Sequence, residues 1–80
     1  MLNREHLIKK LKENGILEIH LNNNEEIYIA QYANSNIAAE RDIWNEAIED
    51  WELVKDFGFF KNIEDLFKML EEKGILIFKD

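Results

Sequence analysis

The side chains able to do chemistry in this 80-residue chain are few, and most of them are acidic. There are 17 aspartates and glutamates against 10 lysines and arginines, two histidines, no cysteine, and a net charge of −7. Ser35 is the one serine, no threonine accompanies it, and it sits in the run Asn34-Ser35-Asn36. Three helix-capping residue types in a row make capping a better account of Ser35 than nucleophilic attack. His6 and His20 are too far apart in sequence to present a metal from one helix face. A site built from His6, His20, Glu18 and a tyrosine can be drawn, but two ordinary surface histidines are the simpler reading. The three glycines are isolated, so there is no phosphate-cradling loop. Asp56-Phe57-Gly58 spells a kinase triplet in a chain far too short for kinase lobes. The expectation is a non-enzymatic protein with no cofactor and no metal.

What remains is the acidic run itself. Residues 37–56 carry seven acids against Arg41 and Lys55, a net of −5. On a helix from Asn36 to Val54, Asp42, Glu46, Glu49 and Asp50 fall on one side, and Glu52 and Asp56 continue the ridge. Such a helix sets like charges at i,i+4 in the pairs Asp42–Glu46, Glu46–Asp50 and Glu52–Asp56. Each pair costs a few tenths of a kcal/mol. Helix stability alone would have interleaved lysines, so the six residues Asp42, Glu46, Glu49, Asp50, Glu52 and Asp56 are the candidate partner-binding surface. A merely solvated acidic face is the plainer alternative. A field of this sign repels phosphate backbones and anionic membranes and attracts a basic protein surface, including that of a nucleic-acid-binding protein.

The elements that would position this ridge follow from periodicity and capping. A helix over 4–14 starts at Asn3 and stops at Gly15, burying Leu7, Ile8 and Leu11. A strand over 16–21 sets Leu17, Ile19 and Leu21 against Glu18 and His20. A three-residue turn, Asn22 to Asn24, leads to a strand over 25–32, with Ile27 and Ile29 sharing the face of Leu17 and Ile19. The central helix then opens at the Asn34–Asn36 cluster, with Ile37, Trp44, Ala47, Ile48 and Trp51 as its apolar side. A third helix over 63–73 is capped by Asn62 and carries Ile63, Leu66, Phe67 and Leu70 at helical spacing. Ile75-Leu76-Ile77-Phe78 reads as a third strand. Residues 7–20 also align without gaps on 66–79, with seven of fourteen positions identical, as two helix–glycine–strand units. The fold expected is a single α+β domain over 1–80, order α-β-β-α-α-β, with a small three-stranded sheet packed against helices.

No run of ~18 apolar residues and no signal-peptide core is present, so a cytoplasmic location is expected. A winged-helix reading, with Arg4, Lys9, Lys10 and Lys12 facing DNA, lacks the preceding helices and opposes the net charge, so no direct nucleic-acid contact is expected. In size, charge and composition the chain resembles phage-encoded and mobile-element inhibitors, among them anti-CRISPR proteins acting as nucleic-acid mimics. It is similar in the same respects to bacteriocin and toxin immunity proteins. The resemblance implies an inhibitor that docks a basic partner surface through the acidic helix. The alternative is a self-associating homodimer joined through the apolar third strand or the aromatic stretch 57–60.

Overall fold

A computed structural model describes residues 2–79, the last of these by its backbone. The elements are β1 (Leu2–Asn3), α1 (Arg4–Asn14), β2 (Ile16–Asn22), β3 (Glu25–Gln31), β4 (Ile37–Asn45), β5 (Asp50–Phe60), α2 (Ile63–Glu72) and β6 (Phe78–Lys79). The class is α+β, but the order and sheet differ from expectation. Two helices flank a four-stranded antiparallel sheet, and the three-stranded sheet is not formed.

Both helices form where capping chemistry places them. Asn3 accepts a hydrogen bond from the His6 backbone N–H at the start of α1, and Asn62 does the same for Asp65 at the start of α2. Their apolar stripes, Leu7 and Leu11 on α1 and Leu66, Phe67 and Leu70 on α2, are buried together.

The central helix is absent. Residues 37–60 form the hairpin β4–β5 instead, turning at residues 46–49. Asn34 to Asn36 do not cap a helix but close the β3–β4 connection. There Ser35 takes φ 67°, its N–H donates to the Tyr32 carbonyl, and Asn34 Oδ1 accepts from the Asn36 N–H. At the next turn, Asn45 Oδ1 accepts from the Ala47 N–H and Glu49 takes φ 51°. Asparagine makes such side-chain-to-backbone turns as readily as it caps helices, which is why the cluster misled.

The sheet runs β2-β3-β4-β5. Leu17 pairs with Ile29 and Ile19 with Ile27, the register expected of that hairpin. The turn itself is Asn23-Asn24, and a bulge after His20 supplies the extra residue that keeps the parity. Ile29 then faces Ala39, and Gln31 faces Ile37. One side of the sheet thereby collects Leu17, Ile19, Ile27, Ile29, Ile37 and Ala39, all buried against the helices. Among the described residues, no helix covers the other side.

The expected third strand shrinks to a two-residue parallel contact, Leu2 with Phe78 and Asn3 with Lys79, outside the main sheet. Leu76 and Phe78 turn into the core, Phe78 packing 4.7 Å from the Phe67 ring, while Ile77 points outward. The two helix–glycine units agree only locally: Gly15 and Gly74 take φ 74° and 72° and Leu17 and Leu76 are each 4% exposed, but Gly15 itself caps α1 whereas Lys73 caps α2, and no long strand follows Gly74. An added Cβ at either glycine meets nothing within 4 Å, so any cost of a side chain there comes from the left-handed backbone alone. Gly15→Ala and Gly74→Ala should each lower unfolding free energy by about 1 kcal/mol in urea denaturation. Near-equal losses are expected, and a loss at only one position would show that the two helix ends are not equivalent.

Candidate functional site

Strand alternation sends a different set of residues to the side away from the helices. His20 lies opposite Glu26, Glu26 opposite Asp42, Tyr28 opposite Glu40, and Ala30 opposite Ala38. On β5, Trp51 faces Trp44, Leu53 faces Asp42, Asp56 faces Glu40, and Phe59 faces Ala38. The sheet curls enough that Trp51 on β5 comes within 6.4 Å of the His20 ring on β2, at the opposite edge. Trp44 meets Trp51 edge-on at 5.5 Å. The result is an open depression of about 520 Å³ lined by Glu18, Glu26, Glu40 and Asp42 together with Tyr28, Trp51 and Leu53. Beyond it, Tyr32 and Phe59 stand 6.0 Å apart beside the small side chains Ala30 and Ala38.

The strand positions of this face are predominantly acidic, with Lys10 of α1 lining a shallow cavity beside Glu18 and His20 at the β2 edge. None of its paired positions carries a lysine or arginine. Arg41 and Lys55 pair with each other across β4 and β5 in the alternate row, on the helix side. There the Arg41 guanidinium holds Glu25 through Nε at 2.9 Å and an Nη at 2.6 Å, and it lowers the Glu25 pKa, with help from Asn22. The outer carboxylates get no such relief. Glu26 is 2% exposed and Asp42 6%, and one oxygen of each is buried with no hydrogen-bond partner. Burial, then the charge of Glu18, pushes the Glu26 pKa up, while His20 pulls it down. Glu40 is raised to about 7, first by a proton shared with Asp42, then by burial and by the charges of Asp42, Asp56 and Glu26. A buried acceptor without a donor costs ~1–3 kcal/mol, so this arrangement is held against local preference.

Of the six residues expected to bind a partner, only Asp42 and Asp56 reach this face. Glu46 and Glu49 sit in the exposed β4–β5 turn. Asp50 begins β5 and its carboxylate accepts from the Trp51 N–H, while Glu52 lies in the helix-side row opposite Ile43 and accepts from Asn45. The acidic ridge is therefore divided between a sheet face and a hairpin tip, because a strand alternates sides every residue where a helix would stack every third or fourth. Glu26 and Glu40 are not among the residues singled out from sequence, and Glu18 figures there only in the site drawn with His6, His20 and a tyrosine. The alternation of β2 and β3 does place Glu18, His20 and Glu26 on one outer face, but Glu40 was hidden by the helical reading.

Chemically, the face suits positive charge. Glu40, whose carboxyl titrates near 7, can exchange protons at neutral pH. However, its surroundings are carboxylates and ring faces, which favour cations over the developing oxyanions of acyl or phosphoryl transfer. No helix among the described residues is long and apolar enough to cross a membrane. No protein-family model matches the chain, and comparison with curated proteins and with solved structures finds no match.

Glu40 sets a pH dependence whose sign is fixed. Its carboxyl holds a proton more tightly in the folded chain, at about 7, than when unfolded, near 4.5. Its contribution is fully present below 4.5 and is lost as pH rises through 7. Glu40→Gln should thus stabilise the protein by about 1–2 kcal/mol at pH 8, discounted for partial solvent access, and change little at pH 5. Urea denaturation of both proteins at the two pH values measures the difference.

Proposed function

We propose that this protein is a non-enzymatic, cytoplasmic binding module that holds a basic segment of a partner protein on the open face of its sheet. The observation that carries this reading is the opposed pair Glu26 and Asp42, buried with one donor-less oxygen each beneath aromatic walls. A lysine or arginine head group supplies the missing donors, and its aliphatic stem lies along Trp51, Leu53 and Tyr28. Arginine gains further from stacking on the rings. Protein surfaces rich in such side chains are commonly those that hold nucleic-acid backbones, so occupancy of the face would make the module an inhibitor acting as a phosphate mimic. Self-association through the C-terminal apolar stretch has less support, since Leu76 and Phe78 are buried within the core.

Trp44 and Trp51 are the chain's two tryptophans and both lie on the face, so intrinsic fluorescence reports on it directly. Titration with an arginine-rich peptide should change that fluorescence saturably, with an affinity that falls as salt rises. Reversing the exposed charges by Glu18→Lys with Asp56→Lys should weaken binding at least tenfold, about 1.4 kcal/mol. The pair Glu46→Lys with Glu49→Lys makes the same change in net charge at the hairpin tip and should have a much smaller effect. Equal losses from both double variants would mean that total charge, not this face, attracts the peptide.

A further inference from the structure

We infer that Glu18, His20 and Glu26 form a binding site for one divalent transition-metal ion of the zinc type. Glu18 and His20 stand two residues apart on β2 and so share its outer side. Glu26 faces His20 directly from β3. One ligand-capable atom from each of the three lies within 4.8 Å of the others. A tetrahedral zinc site with bonds of roughly 2.0–2.2 Å sets its ligand atoms about 3.3 Å apart, and torsions of the exposed Glu18 and His20 side chains close the gap.

The burial of Glu26 is the independent sign that a ligand belongs here. Its side chain is almost wholly buried, 2% exposed, yet one of its oxygens has no hydrogen-bond donor. It lines the same depression as Glu18. A carboxylate buried in this way is stabilised by a cation at the mouth of the depression.

The donor set also selects among cations. Calcium takes six to eight oxygens and magnesium keeps an octahedron of oxygens and water, whereas one imidazole with two carboxylates suits zinc, cobalt or nickel. Three protein ligands leave at least one position for water or an incoming group. Glu18 and His20 are exposed on the edge strand β2, so an ion reaches these two ligands from solvent. Two carboxylates balance the charge of the ion, and Asp42, opposite Glu26, adds to the negative potential that attracts it. The ion and a basic side chain would compete for Glu18 and the Glu26 oxygen, and the two readings are tested with different probes.

The test is titration of the full chain with Zn²⁺ alone, followed by calorimetry and by thermal unfolding, with Co²⁺ absorption reporting on the ligands. Saturable binding of one ion per chain is expected, with melting raised on the order of 10 °C at a hundredfold excess of free ion over Kd. His20→Ala and Glu18→Gln, both at exposed positions that leave the core untouched, should each weaken binding at least tenfold. His6→Ala, on α1, should leave it unchanged. Absence of saturable binding overturns the site. So does binding that survives His20→Ala, or that Ca²⁺ reproduces with equal affinity, since either would mean general screening of an acidic surface.

Discussion

The register of β3 against β4 governs both the stability and the chemistry of this molecule. Ile29 opposite Ala39 places one row of side chains under the helices, and the same register places Glu26 opposite Asp42 on the other side. A slip of one residue would exchange the rows, sending isoleucines to solvent and carboxylates into the core. The alanine at position 39 and the tight Asn34–Asn36 connection keep β4 from sliding, the first by fitting beneath the helices and the second by fixing the loop. The acidic face is therefore the reverse side of the core.

That arrangement is demanding for so small a protein. A chain of this length buries only ~60–65% of its unfolded surface, and its margin is a few kcal/mol. Two buried carboxylates, each with one oxygen that lacks a donor, consume a substantial part of such a margin. The helix side compensates with a dense cluster in which Phe67, Leu66, Leu70, Ile27 and Ile29 are wholly buried. Arg4 joins the two helices by its ion pair with Glu71 and also lies 4.4 Å over the Phe78 ring of β6. Packing strength is thus concentrated on one side of the sheet and unsatisfied polar groups on the other.

What the amino acids disclose about this fold depends on how local each decision is. Asn3, Gly15 and Asn62 act on their own turns, so both flanking helices can be read directly. The β2–β3 hairpin is equally legible, because its two strands are neighbours and its alternation is clean. Ile37 to Val54 is different. Its alanines, glutamates and arginine favour a helix locally, and the strands they form are stabilised by partners far along the chain, such as Ile37 with Phe60. On β5 two bulges shift the alternation, so Leu53, Asp56 and Phe59 share a side at spacing three and imitate a helical stripe. The like charges at i,i+4 were the contrary sign. A helix would have set them together, whereas the hairpin puts Asp42 on the sheet face and Glu46 in the turn, and divides Glu52 from Asp56 between the two sides of the sheet. The face could be half-inferred from Glu18, His20 and Glu26, but its other half needed β4.

The bulges on β5 also bear on the behaviour of the protein in company. An eleven-residue strand at a sheet edge, with Leu53, Val54 and Phe59 more than half exposed, is the sort of template along which chains stack into fibrils. The register breaks between Gly58 and Asp56 and between Lys55 and Leu53 interrupt its row of amide and carbonyl groups and sharpen its twist. An incoming strand finds no straight ladder longer than a few residues. Excising Val54 or Phe57 would straighten the edge and offer an incoming strand a longer ladder, so the two irregularities act as guards against ordered aggregation.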